Sequence, residues 1–300
     1  MSRRVPSTDG VPARLYGVHP AARVLLTIAC FLFAAFILAP LVWLLINSTK
    51  TQAEVYGSFG FWFAGPFRLF DNLAALGQNV SGAGVYLDWL RNTLFYAIVG
   101  AVGATALSAL AGYGFARFRF RGANSLFLLV MATLLVPLTS LALPLFLVYA
   151  KAGLINSVWG MILPSTVSAI GIYLMRTYIE ASVPRELIEA ARMDGLSEFS
   201  IFLRIAVPLS LPGLVTVLLI TIVAIWNNYF LPLIIFSRNS LYPLTVGLAS
   251  ISASAQTGSK ADLVPVLITG GLVTVVPLIL LFLVLERYFR GGILQGSLTG

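Results

Sequence analysis

Six long apolar runs, residues 24–46, 93–115, 125–149, 158–179, 209–236 and 263–285, confine what this chain can fold into. A bilayer core about 30 Å thick needs about twenty apolar residues per helix, and each run meets that length. Their central portions carry no charge, as expected if a charge there costs about 2.5–3.5 kcal/mol on insertion. Only 10% of the residues are charged and 59% are hydrophobic, with a mean hydropathy of +0.94. This composition belongs to polytopic membrane proteins. The expected fold is an all-α membrane protein of six transmembrane helices.

The net charge of +8 contains no dense Lys/Arg tract; arginines and lysines stand where apolar runs end. That pattern sets topology and gives no footing for nucleic acid. Thirteen of the nineteen basic residues fall on one side: Arg3, Arg4, Arg14 and Arg23, then Arg117, Arg119 and Arg121, then Arg176, Arg185, Arg192 and Arg204, then Arg287 and Arg290. By the positive-inside rule that side and both termini are cytoplasmic. Lys50, Arg68, Arg91, Lys151, Arg238 and Lys260 lie outside. The first run follows basic residues as a signal peptide does, but it is too long and contains Pro40, so a retained helix is expected. One cysteine, Cys30, and one histidine, His19, allow no intrachain disulfide and no metal cluster.

The expected organisation is a cytoplasmic tail 1–23, a six-helix membrane domain 24–285, and a second cytoplasmic tail 286–300. Residues 47–92 form a long outer stretch rich in aromatics, expected to hold a short surface or re-entrant helix. Residues 237–262 are a second polar outer loop. Asn47-Ser48-Thr49 and Asn79-Val80-Ser81 match the glycosylation pattern, which matters only in a secretory pathway. Pro137, Pro144, Pro164 and Pro277 are expected to kink helices.

Between the fourth and fifth runs, at least six charges gather from Glu180 to Glu198. Ser182 and Pro184 followed by Glu186 and Glu189 mark a helix start, since acids there complement the helix dipole. Ala190 and Ala191 leave no bulk, so another backbone can approach. Gly195 ends the helix or turns a left-handed corner. Ser197 caps a second short helix through Phe199, Ile201, Phe202 and Ile205, which Pro208 closes. The product is a helix–turn–helix elbow over 180–208, on the cytoplasmic side. By chemistry alone it is equally an amphipathic connector resting on headgroups.

In the fifth run, Asn227 and Asn228 are the most polar pair near the centre of any span. Polar groups at that depth usually face a bundle interior or a wet cavity. They are candidates to hydrogen-bond a hydroxylated solute, with Trp226 or Tyr229 stacking on a ring of it; the bland alternative is an interhelical hydrogen bond. Tyr173, Thr139, Ser140, Ser165, Thr166 and Ser168 are weaker lining candidates.

Glu189-Ala190-Ala191-Arg192-Met193-Asp194-Gly195, followed by Arg204-Ile205-Ala206-Val207-Pro208, resembles the EAA loop of ABC-importer permeases. Ala111-Gly112-Tyr113-Gly114-Phe115-Ala116-Arg117-Phe118-Arg119-Phe120-Arg121-Gly122 is similar to the second-helix exit of carbohydrate-type permeases. Trp226-Asn227-Asn228-Tyr229-Phe230-Leu231-Pro232-Leu233 is similar to their fifth helix, and the Gly-rich stretch 287–298 to their C-terminus. The resemblance covers roughly residues 20–300 and is closest to the six-helix partner of the maltose-type pair. The tail lacks the family's Gly-Ala-Val-Lys ending, and 47–92 matches no part of the pattern.

The resemblance implies an ABC type I importer (MetI-like) permease in a bacterial inner membrane. It implies a second permease subunit, two ATPase subunits, an external substrate-binding protein, a carbohydrate substrate and surrounding lipid. Glu186, Glu189, Ala190, Ala191, Asp194, Gly195 and Pro208 would then couple the elbow to the ATPase. No catalysis and no cofactor is implied for this chain; ATP and Mg would sit on the ATPase. Its sequence has no Gly-x-x-x-x-Gly-Lys-Ser/Thr, and Gly258-Ser259-Lys260 lacks the earlier glycine. Rival readings are an ion-coupled secondary transporter, which would usually need an intramembrane carboxylate or inverted repeat, and a membrane assembly protein docking a soluble partner. Neither of those features is present in the sequence.

Overall fold

The computed structural model describes the backbone of residues 20–78, 86–256 and 263–296, and side chains within them from 21 to 285. The N-terminal arginines, His19, the Asn79 sequon and Gly258-Ser259-Lys260 lie outside the described residues. Helix α1 (Pro20–Asn47) is the first span and runs unbroken through Pro40. A polar turn at its outer end is buried although four of its residues are Asn47, Ser48, Thr49 and Lys50. Such groups tolerate burial only when bonded. Asn47 donates to the carbonyls of Trp43 (2.8 Å) and Gly60 (2.7 Å), and Lys50 Nζ donates to that of Phe59 (2.9 Å). Asn72 closes the same knot, donating to the carbonyls of Ser48 and Lys50.

That knot organises the outer stretch. It contains α2 (Gln52–Gly57), started by a reciprocal Thr51–Glu54 capping box, and α3 (Leu69–Leu76), whose Leu76 is buried. The second span, α4 (Tyr86–Arg117), starts well before residue 93. Its outer end holds the loop 239–242 by side-chain bonds: Trp89 Nε1 to the Asn239 carbonyl, Asn92 to those of Ser240 and Tyr242, and Tyr96 to that of Leu241.

The third run is not one straight helix. α5 (Ala123–Ala132) and α6 (Ala142–Lys151), extended by short 3₁₀ turns, meet at 91° across Val136-Pro137. Proline has no N–H to continue the ladder, and the residue before it is pushed to extended backbone; Val136 has φ −84° and ψ 117°. Pro144 makes no kink, because it stands in the first turn of α6, where no N–H partner is needed. The fourth run divides into α7 (Val158–Ser165) and α8 (Ala169–Ser182), with Pro164 at the junction and Ser168 capping α8 through the Gly171 N–H. Pro277 lies within the continuous α15 (Leu263–Gly296), which extends as helix into the residues assigned to the C-terminal tail.

The second outer loop is also more ordered than its composition suggests. Residues Leu244–Gln256 form a helix between the fifth and last spans, with Leu244, Val246, Gly247 and Ile251 buried. Its Ser- and Ala-rich surface is small enough to pack, which a polarity count hides. Among the described residues, four helices are long and apolar enough to cross a membrane, or six if each bent pair is one span.

The centre of the bundle is α4, packed on α8 and on the fifth span. Lipid tails are as apolar as leucine, so association here relies on close approach of small residues. At Gly112 the α4 backbone meets the backbone of α8: a Cβ there would stand 2.7 Å from the Arg176 nitrogen and 2.7 Å from Met175 Cβ. Replacing Gly112 by Val should therefore lower the stability of the purified protein by at least about 1–3 kcal/mol. Gly114→Ala, which faces open space, should leave the melting temperature nearly unchanged in the same assay.

Candidate functional site

The elbow is built by local signals. α8 ends at Ser182, Val183 is buried and extended, and Pro184 stands at the N-cap of α9 (Arg185–Met193). Glu186 in the first turn and Arg192 in the last both complement the helix dipole. Asp194 caps the C-terminus and Gly195 follows at φ +80°, a left-handed conformation costly for other residues. The Leu196 N–H bonds the Ala191 carbonyl (3.1 Å) and the Gly195 N–H that of Arg192 (3.0 Å). These two bonds form a Schellman closure, which locks the corner angle.

Ser197 then caps α10 (Glu198–Ile201), its Oγ accepting from the Ser200 N–H at 3.3 Å. The helix widens to a π turn over Phe202–Ala206, where the Val207 N–H bonds the Phe202 carbonyl. Pro208, which donates no N–H to the ladder, sits just beyond it in α11 (Val207–Leu209). The chain bends 80° only at Ser210, before α12 (Leu211–Trp226). Pro208 thus stands beside the widened turn, and the helix ends one residue later.

One side of the elbow is fixed to the bundle. Ile188 and Ala191 of α9 join Ile201, Phe202 and Ala206 in a cluster with Tyr113 of α4, Met175 and Ile179 of α8, and Val217 of α12. The Arg117 guanidinium donates to the carbonyls of Ile179 and Val183, satisfying the end of α8. Arg192 Nε meets Glu198 Oε1 at 2.6 Å, and the Tyr113 hydroxyl donates to Glu198 Oε2 at 3.4 Å. The Arg192 hydrogen bond holds the Glu198 carboxyl below its ordinary pKa and raises that of Arg192.

The other side is free. At 100° per residue, Glu186, Glu189, Ala190 and Met193 fall opposite the buried Ile188–Ala191 edge, and all are exposed, Met193 at 88%. The adjacent alanines are therefore divided, Ala191 packing inward and Ala190 outward. Asp194 and Gly195 are exposed at the corner. Two apolar side chains join the exposed set that the motif alone does not mark: Met193 and Phe199, the latter 64% exposed. Helical register with Glu186 and Glu189 would have shown Met193; nothing in the sequence assigns Phe199 a facing on its helix.

The polar break in the fifth run is real but distributes its residues unevenly. α12 ends at Trp226, and α13 (Phe230–Ile235) resumes after Asn227–Tyr229. Sixteen residues carry α12 about 24 Å, leaving the break at the end of the span far from the elbow. Asn228 builds the turn: its Oδ1 accepts from the Leu231 N–H (3.3 Å) and its carbonyl from Thr245 Oγ1 (2.8 Å). That second bond ties the break to α14 (Leu244–Gln256), the helix of the outer loop. Asn227 is exposed and donates to the Val223 carbonyl at 2.8 Å, and Tyr229 is partly exposed. Trp226 is only 3% exposed and belongs to the core, its indole N–H without a partner. Tyr173 is elsewhere. It lies one turn from Arg176, the residue beside Gly112, whereas Ile225 meets Gly100; twelve residues of α4 separate those levels by about 18 Å.

The family model for the binding-protein-dependent transport system inner membrane component matches residues 104–294. The chain is 34% identical over 281 residues to the arabinooligosaccharides transport system permease protein AraQ of Halalkalibacterium halodurans, covering 92% of this chain and 96% of that one. It is 33% identical over 263 residues to the lactose transport system permease protein LacG of Rhizobium radiobacter, covering 87% and 91%. The backbone is similar to that in the crystal structure of a bacterial ABC transporter involved in the import of the acidic polysaccharide alginate. The TM-score there is 0.76 at 23% identity, over 91% of this chain and 99% of that chain.

Because the folded pKa of Glu198 is depressed, its pairing stabilises the elbow above the ordinary carboxylate range and is lost as pH falls through the depressed value. Amide protection at the elbow, corrected for the intrinsic exchange rate, should fall on acidification, and Glu198→Gln should remove that pH dependence. The effect should not exceed about 1 kcal/mol, because the pair is exposed.

Proposed function

The chain belongs to the family of binding-protein-dependent transport system inner membrane components, and we propose that it is the permease subunit of a carbohydrate importer driven through its cytoplasmic elbow. The observation that carries this reading is the outward face of α9, where Glu186, Glu189, Ala190 and Met193 stand exposed on a helix fixed from behind. A second permease subunit completes the membrane path, and an external binding protein delivers the sugar. Two ATPase subunits hold ATP and Mg and receive the elbow in a cleft. Both termini are cytoplasmic, as the arginine distribution favours.

In this reading, closure of the ATPase pair displaces the elbow as a rigid body. Ala190 permits close approach, Met193 adapts to an apolar socket, and the two glutamates pair with basic groups. The Schellman corner at Gly195 keeps α9 and α10 at one angle, so the displacement passes into α12 through Ser210. The switch is a rocking of packed helices between inward- and outward-facing states. At the outer end, the Asn227–Tyr229 break offers an amide and a phenol ring to a sugar, while Trp226 supports the break from within. The relatives' names favour oligosaccharides and disaccharides as the substrate class.

Reconstituted complexes test the coupling. Glu189→Lys and Gly195→Pro, the latter incompatible with φ +80°, should lower ATP-driven uptake by an order of magnitude or more. Membrane insertion and basal ATP hydrolysis should persist. Wild-type uptake in both variants would remove the coupling role. For the path, Asn227→Ala should raise the sugar concentration needed for half-maximal uptake by about fivefold, one hydrogen bond's worth. Unchanged kinetics would leave Asn227 as a packing residue.

A further inference from the structure

A cleft of about 850 Å³ lies between the inner end of α4, the start of α5, the end of α8 and the flank of α9. Five arginines line it, 117, 119, 176, 185 and 192, against two carboxylates, Glu180 and Glu189. Two of the guanidiniums are already neutralised: Arg176 pairs with Glu180 at 2.9 Å and Arg192 with Glu198 at 2.6 Å. Arg117, Arg119 and Arg185 have no carboxylate within ion-pair distance among the described residues. Arg185 repels Arg117, whose Nε is buried without a partner. Like charges held together around an open cleft are stabilised by a shared anion.

The position of the cleft says which anion. It sits where α4 leaves the apolar layer and α5 re-enters it, flanked by the exposed rings of Phe118 and Phe120. Leu126 and Leu129, one turn apart on α5, continue from it as an exposed apolar strip along the span. A charged cleft joined to an apolar strip at that depth matches a headgroup with acyl chains below it. Arg185, Ile188, Glu189 and Arg192 form one stripe of α9, turned from the edge that carries Glu186 and Met193.

We propose that this cleft holds the phosphate of an anionic phospholipid of the cytoplasmic leaflet, bracing the back of the elbow. The proposal rests on the orientation adopted above, with the elbow in the cytoplasm, but its test needs neither ATP nor sugar. The purified complex would be titrated with phosphatidylglycerol or phosphatidylcholine in detergent, and bound lipid counted by native mass spectrometry. Phosphatidylglycerol should be retained selectively, and Arg119→Gln and Arg185→Gln should each weaken retention by about fivefold. Arg119 is exposed and makes no ion pair among the described residues, so its variant should assemble normally. Lysine at both positions should restore retention.

Equal phosphatidylglycerol retention by wild type and both glutamine variants would overturn the proposal. So would displacement of the lipid by millimolar-scale inorganic phosphate or glycerol phosphate, which would make the site one for a soluble anion. Loss of the ATPase subunit from the variants with lipid retention unchanged would assign the arginines to that partner instead, and also overturn it. Failed uptake with lipid still selectively bound would count against the importer reading alone.

Discussion

The close approach of α4 to α8 at Gly112 is the contact on which the rest of this structure depends. In lipid there is no water to expel between two apolar helices, so the gain comes from dense packing where side chains are small. Gly112 brings the α4 backbone against Met175 and Arg176. Five residues on, Arg117 can then reach the carbonyls at Ile179 and Val183. That reach closes the end of α8 and sets the direction in which α9 departs. A bulkier residue at position 112 would move the arginine, and with it the origin of the elbow.

Rigidity in the elbow comes from splitting its short helices lengthwise. Helices this short are unstable alone, because nucleation costs more than a few bonds return. α9 persists since Ile188 and Ala191 are buried in the same cluster as Ile201, Phe202 and Val217. The outward half carries no structural duty, so it is available for a partner. The same division separates the two alanines of the motif, one structural and one exposed.

The outer half of the molecule is held differently, by side chains bonding to backbone carbonyls of irregular segments. Asn47, Lys50 and Asn72 knot the stretch after α1, and Trp89, Asn92 and Tyr96 hold the loop before α14. Such bonds depend on residues more than a hundred positions apart in the second case. No periodicity announces them, so 47–92 reads only as an outer stretch with a short surface or re-entrant helix, and 237–262 only as a polar loop. The bend in the third span was partly legible, since Pro137 stands at it, as was the break at the end of α12, where the Asn227-Asn228 pair stands. Their angles were not, because a break states only that a ladder stops.

The sequence by itself determined the helical membrane class and the corner at Gly195. Those follow from local physics: transfer of apolar runs into lipid, and a left-handed backbone conformation that glycine tolerates well. Only the tertiary structure decided which face of α9 is free, that Trp226 is core while Asn227 is exposed, that Tyr173 stands apart from them, and that arginines from α4, α8 and α9 share one cleft. Each of these is a question of direction around a helix axis or of neighbours distant in the chain. Packing at α4 fixes those directions, and a one-dimensional pattern does not contain them.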